Sequence, residues 1–217
     1  HDILFMRKDV IKNLHKKKEL IIGTSSPRRI FNLEKSLSPF IPYSPKITTK
    51  QLRGNVNTRL KKCADGDYDG VCLAFAGIER LALNNDSIAE VKLSLDKMDF
   101  MVLPLSIFPS AASQGALGIE INSSRNDNNE LYNLLRKIHC DKTQYSVSNE
   151  RKIFQQFGGG CHLAVGISTR PIGDNILITS VQGTSDNKEV SSIISSNEKP
   201  EIVKKNIFIG VQSDKED

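Results

Sequence analysis

"ELIIGTSSPRRIFNLEKS", residues 19–36, is the stretch on which the reading of the fold turns. Residues 19–23 form a short apolar run closed by a glycine, as a buried strand does. Ser26 and Pro27 then stand where a helix wants a capping hydroxyl and a residue with φ already fixed, which predicts a helix from Arg28 to about Ser36. The result is strand, tight turn, helix. The pattern recurs downstream. Residues 44–49 read as extended, 55–64 as a helix with Leu60 on its apolar face, "DGDYDG" as a turn, 70–75 as a strand and 78–83 as a helix. Strands that alternate with helices predict an α/β unit with a mostly parallel sheet.

Beyond it the pattern weakens. Residues 84–109 read as an irregular connection, "SQGALGIEI" (113–121) as a turn into a strand, and 130–138 as a helix. From about residue 141 the character changes to α+β. A helix over 147–157 leads into "FGGGCHLAVGIS", followed by strands at 165–168, 175–183 and 189–195 in a small antiparallel sheet, with a last helix near 201–209. Three segments follow: an α/β domain at 1–110, a linking segment at 111–140, and a smaller α+β carboxyl-terminal domain at 141–217.

Composition narrows the function. The 217 residues are 38% hydrophobic, enough for a buried core. No apolar run reaches the roughly 18 residues a membrane helix needs, and the first residues lack the apolar stretch of a secretory signal. We therefore expect a soluble, cytoplasmic protein with no membrane partner. The chain starts at His1, directly in an apolar run, which suggests a portion of something longer. Cys63, Cys72, Cys140 and Cys161 form no CxxC pair, so no metal site is expected. Cys72, inside "YDGVCLAFAGI", reads as core.

The net charge is +5, which favours an anionic partner. Lysines lie in runs such as "HKKKE" that suit solvated faces, whereas arginines sit beside Gly, Ser, Thr and Asn in "GTSSPRR" and "LRGNVNTRL". A helix amino terminus with Ser26, Arg28 and Arg29 beside it binds carboxylate or phosphate. Arg53 and Arg59, at the end of a neighbouring strand, would meet the same crevice, and Arg80 is placed to join them. Arginine grips a carboxylate with two parallel charge-assisted hydrogen bonds, so this set suits a ligand with several carboxylates. Aromatic content of 6% with no Trp leaves few stacking platforms for nucleic acid, and "GGGCH" lacks the Lys and Ser/Thr of a phosphate loop.

Taken together, "IIGTSSPRR", "LRGNVNTRLKKCADGDYDGVCLAFAGIERL", "SQGALGIE" and "NERKIFQQFGGGCHLAVGI" closely resemble the porphobilinogen deaminase (hydroxymethylbilane synthase) family, in its order and nearly its spacing. The resemblance spans about residues 20–170. It implies a periplasmic-binding-protein-like α/β domain and a transferase of tetrapyrrole and haem biosynthesis. That transferase joins four porphobilinogen molecules into hydroxymethylbilane, releasing ammonia. The cofactor implied is a dipyrromethane linked covalently to Cys161, its acetates and propionates held by Ser26, Arg28, Arg29, Arg53, Arg59 and Arg80. The same arginines would bind substrate, and Gln114 falls in the family's hinge. Glycines 158–160 would give the loop ahead of Cys161 backbone freedom and room beside the sulfur.

The family's catalytic aspartate lies in an "HSxKDxP"-type motif that these residues do not contain, so the catalytic residue is unassigned. Asp96 and Asp99 do not match it. Ala164 replaces a usual proline, Pro27 a common leucine, and residues 84–106 hold an insertion. The expectation is a chain lacking most of the amino-terminal domain, inactive alone, with residues 111–140 returning to that domain and the remaining segment of the enzyme as partner. The alternative is a non-catalytic relative that binds anionic ligands. Arg28→Leu or Arg59→Leu is expected to block cofactor assembly or chain elongation and leave the fold largely intact.

Overall fold

β1 (Asp2–Arg7), β2 (Glu19–Gly23), β3 (Lys46–Lys50), β4 (Gly70–Ala74) and β5 (Met98–Val102) form one sheet in the order β3-β2-β4-β1-β5. The computed structural model describes residues 1–83, 85–122, 124, 128–158, 163–172, 176–185 and 188–196. β2 pairs in parallel with β3 and β4, while β1 is antiparallel to β4 and β5. Four strands thus share a direction and β1 opposes them, so the sheet is mostly parallel, as predicted.

The helices follow from the chain order. After α1 (Lys8–Lys12), β2 leads through α2 (Pro27–Ser36) to β3 on one side. β3 leads through α3 (Val56–Ala64) across to β4 on the other side of β2, so right-handed crossovers place α2 and α3 on opposite faces. Burial agrees. Leu33 of α2 and Leu37 just after it pack with Leu4, Met6, Leu20 and Ile22, whereas Leu60 and Cys63 of α3 pack with Ile3, Phe5, Val71 and Leu73. Successive residues of β1 serve alternate cores, as a pleated strand sandwiched between helices requires. Each such leucine or isoleucine contributes about 2 kcal/mol when removed from water. Cys72 lies in the α2-side core, where burial pushes its thiol up to about 12.

Two expectations fail. Residues 84–109 are not irregular throughout: α4 (Phe75–Ala82) is followed by α5 (Asn85–Leu95) and by β5. Val91 of α5 is buried and Leu95 packs beside it, one helical turn apart. β5 takes its hydrogen-bond partners from β1, a long-range pairing that local pattern does not reveal. Conversely, 113–121 holds a turn but no strand. Leu117 is exposed, and no neighbouring strand is present among the described residues to pair with it.

After α6 (Asn128–Arg136) and α7 (Asp141–Gln155), the strands β6 (Ala164–Ile172), β7 (Ile176–Ser185) and β8 (Lys188–Ser196) make an antiparallel sheet in that order. Val165, Ile167 and Val181 form its small core with Ile153, Phe154 and Phe157. The final helix expected near 201–209 lies outside the described residues.

This sheet docks on α2. Ile167 N–H donates to the Ser110 carbonyl at 2.8 Å, the Ser110 N–H donates to Ser168 Oγ at 2.6 Å, and Gln182 Nε2 donates to Ser36 Oγ at 3.1 Å. Lys35 of α2 is paired with Glu189 of β8. Gly166 makes the closest approach: a Cβ there would lie 2.3 Å from the Pro109 carbonyl oxygen and 3.1 Å from Arg28 Cδ. Only glycine fits.

Candidate functional site

The carboxyl ends of β2, β3 and β4 and the start of β1 meet at one edge of the sheet, and the loops there carry the predicted residues. Ser25 clips two of them together, its hydroxyl donating to the Leu52 carbonyl at 2.9 Å and accepting from the Leu52 N–H at 3.0 Å. The sequence offers both Ser25 and Ser26 as hydroxyls, and the resemblance assigns the ligand contact to Ser26. Ser26 is the residue before α2, but its side chain makes no capping bond, and Pro27 supplies the start. α3 is capped by Asn55, whose Oδ1 accepts from the Thr58 N–H at 2.8 Å.

Arg28 and Arg29 do not stand open to solvent. Both are buried, and both grip Asp2. Arg28 Nη1 donates to Asp2 Oδ2 at 2.6 Å and to the Pro109 carbonyl at 2.9 Å. Arg29 donates to Asp2 Oδ1 from Nε at 3.1 Å and from Nη2 at 2.8 Å. Gln114 completes the cluster, its Nε2 donating to Asp2 Oδ1 at 3.0 Å while its Oε1 accepts from Arg28 and Arg29 at 3.3 and 3.4 Å. Asp2 was missed because it reads as the first polar residue of an apolar run. A carboxylate heading a buried strand nevertheless demands a cation.

Burial alone would push the Asp2 carboxyl up, but the two guanidiniums outweigh it and hold it at about 2, against an ordinary 3.8. Arg29 is raised above its usual value: burial opposes its charge, and Asp2 more than offsets that. A carboxylate whose folded value is depressed stabilises the fold above its unfolded value and loses that effect as pH falls through the folded one. Urea unfolding of wild type and Asp2→Asn between pH 5 and pH 2 should show a stability difference that shrinks by about 2 kcal/mol toward pH 2. A constant difference would remove the charge pair from the account. Glu150 shifts the opposite way, raised by burial, and is common to both proteins.

Arg59 is partly buried, its Nε donating to the Gly54 carbonyl at 2.7 Å. Its proton is held less firmly than usual, first through burial and then through the charge of Arg29, which places the two guanidiniums in one neighbourhood. Arg53 and Arg80 are exposed, on the loop after β3 and in the last turn of α4. Two of the predicted arginines thus meet at Asp2 with Arg59 near Arg29, and Arg80 makes no hydrogen bond or ion pair among the described residues. Cys161 lies outside the described residues. Gly158, just ahead of it, is exposed with φ +87, a conformation that glycine takes at little cost.

On the other side of Gln114 opens a cavity of about 440 Å³, lined by His1, Ser113, Gln114, Lys142, Glu150 and Thr169. Glu150 accepts from the Ser113 and Thr169 N–H groups, each at 2.7 Å, and so ties α7 to the 113–116 turn and to β6. None of the predicted arginines lines this cavity. No group of side chains suited to a metal ion occurs among the described residues.

Residues 1–130, which carry Asp2, all the predicted arginines and Gln114, match the family model described as "Porphobilinogen deaminase, dipyromethane cofactor binding domain". The chain belongs to the porphobilinogen deaminase family. Among curated relatives, the porphobilinogen deaminase of Nostoc is 35% identical over 178 residues, 82% of this chain and 48% of that protein. Those of Oceanobacillus iheyensis and Geobacillus kaustophilus are 33% and 32% identical, over 86% and 84% of this chain and 53% and 52% of their own lengths. The chain therefore spans about half the length of the curated relatives it matches. Within this porphobilinogen deaminase relative, the family's cofactor-binding match ends before α7, so Cys161 lies beyond it. No described helix is long and apolar enough to cross a membrane.

Proposed function

We propose that this chain is the cofactor-holding part of a porphobilinogen deaminase (hydroxymethylbilane synthase), with a dipyrromethane attached through a thioether to Cys161. The arginines hold its carboxylates and those of the porphobilinogen units added to it. The whole enzyme joins four such units and releases hydroxymethylbilane and ammonia, in the cytoplasm.

One observation carries this reading: Gly166 of β6 lies against Arg28. Cys161 is five residues earlier in the chain, so covalent geometry alone keeps it within about 18 Å of Gly166. The residues also fit the group. Arg28 and Arg29, with Arg59 near Arg29, have a single hydrogen-bonded carboxylate, that of Asp2, among them and so retain positive charge for an anion. A bound dipyrromethane supplies a free pyrrole carbon on which units are joined, and an acetate and a propionate on each ring.

The chain's own residues bind and orient. Arg28 and Arg29 form the inner grip with Arg59 farther out, Ser26 and α2's amino terminus add a hydroxyl and a favourable dipole, and Arg53 and Arg80 extend the positive rim into solvent. Catalytic acid–base work is assigned to no carboxylate here. Asp99, paired weakly with Lys8 at 3.9 Å, sits opposite Met6, toward the far end of β1 from Asp2 and the arginines. Residues 111–140 pack, in this reading, against further chain of the same enzyme. Exposed Leu117, Leu134 and Ile138 support it.

Intact mass measurement tests the attachment. The native protein from cells with normal haem synthesis should carry an adduct of two pyrrole units, absent in Cys161→Ser. An unmodified thiol in the wild type overturns the reading.

A further inference from the structure

The Asp2 carboxylate is more deeply buried than the arginines that hold it. Its side chain is 2% exposed, against 5% for Arg28 and 10% for Arg29, and Arg59 lies farther out. Its two oxygens together take four donors: Arg28 Nη1 on Oδ2, and Arg29 Nε, Arg29 Nη2 and Gln114 Nε2 on Oδ1. Its acceptor capacity is used inside the protein.

The arginines are less fully used. Arg28 Nη1 spends both its N–H groups, on Asp2 and on the Pro109 carbonyl, but Nη2 makes one bond of 3.3 Å and Nε has no partner among the described residues. Nε is sealed from solvent, so the spare donor capacity of Arg28 lies at Nη2. Arg29 Nη1 makes one long bond, 3.4 Å to the Cys72 carbonyl, and keeps its second N–H. Two readings of such an arrangement differ in sign. Asp2 could compete with a ligand for the arginines, or it could anchor them. Asp2 is the most deeply buried of the three and both its oxygens are engaged inside the protein, which favours the anchor over the competitor.

We propose that Asp2 is a positioning residue of the arginine site: it fixes Arg28 and Arg29 by their inner edges and thereby holds their remaining N–H groups, with Arg59, ready for a polycarboxylate. The inference rests on the polycarboxylate reading above and adds a residue to it. Without the anchor, two like charges would repel, and each long side chain would have to be ordered when the ligand binds.

The test uses the full chain, with mellitate, a benzene ring carrying six carboxylates, as probe in titration calorimetry. Ordering two freed arginines predicts that Asp2→Ala binds mellitate about tenfold more weakly than wild type. Saturating formate, a small carboxylate able to fill the vacated place, should restore both the melting temperature and mellitate affinity, while chloride at equal ionic strength should not. A purely structural role for the Asp2 side chain predicts no such rescue. Should Asp2→Ala fail to fold even with formate, Asp2→Asn decides. It fills the space, lacks the charge, and should bind mellitate more weakly with no response to formate. Either variant binding mellitate as well as wild type, or better, overturns the positioning role alone. Wild type that ignores mellitate overturns the polycarboxylate reading instead.

Discussion

Arg28→Leu should destabilise the protein by about 3–5 kcal/mol, because it strands a buried carboxylate and not merely because it empties a ligand site. The Asp2 side chain is 2% exposed, and Arg28 Nη1 is the donor to its Oδ2 at 2.6 Å. Leucine would leave that oxygen buried with no described donor, together with the Pro109 carbonyl that the same nitrogen serves. The leucine side chain fills part of the arginine stem's place against Gly166 but returns neither hydrogen bond. Arg59→Leu is the contrast. Arg59 is only partly buried and binds one backbone carbonyl, Gly54, so its loss should cost within about 1 kcal/mol of stability while removing a charge beside Arg29. Urea denaturation of the two variants separates the cases. Equal stabilities would mean that the Arg28–Asp2 contact contributes nothing to the fold. The sequence suggests that both substitutions spare the fold. The structure predicts the same for Arg59 but a loss of stability for Arg28, whose burial a sequence does not reveal for a residue so often at the surface.

What was legible divides along physical lines. β2, the turn and α2 could be read at 19–36 because an apolar run, a glycine and a Ser-Pro start signal are local devices. Asn55 marks the start of α3 for the same reason, and the glycine at 166 sits in a strand that alternation alone reveals. β5 could not be read, since its hydrogen bonds come from β1, almost a hundred residues away. The strand expected at 113–121 has the right residues and no described neighbour to pair with. At the site, arginines flanked by small polar residues announced an anion. The carboxylate that organises them went unnoticed, because Asp2 gains its meaning only when β1 is laid beside β4 and its side chain meets α2. Gln114 was assigned to a hinge through resemblance. Its geometry shows a second task, reaching both guanidiniums and Asp2 at once.

Gly166→Val should undock the carboxyl-terminal sheet from α2, at about 3 kcal/mol or more. The Cβ that valine adds would lie 2.3 Å from the Pro109 carbonyl oxygen and 3.0 Å from its carbon, and backbone cannot step aside as a flexible side chain would. Relief requires β6 to lift, which breaks the Ile167 to Ser110 and Ser110 to Ser168 hydrogen bonds and strains the Thr169 N–H on Glu150. Because β6 begins three residues after Cys161, the same displacement is expected to disturb the proposed attachment point. Two readouts should therefore fall together: protection of the sheet from limited proteolysis, and the fraction of protein carrying the two-pyrrole mass. Gly158→Ala serves as control. A Cβ there meets nothing within 4 Å, and the strain of φ +87 is confined to an exposed turn, costing on the order of 1 kcal/mol. If Gly166→Val kept full protection, β6 would not be held on α2 by this contact. If it lost protection but kept the full adduct, the arginines and the cysteine would be joined through something other than the β6–α2 interface, and Gly166 would matter to the fold alone.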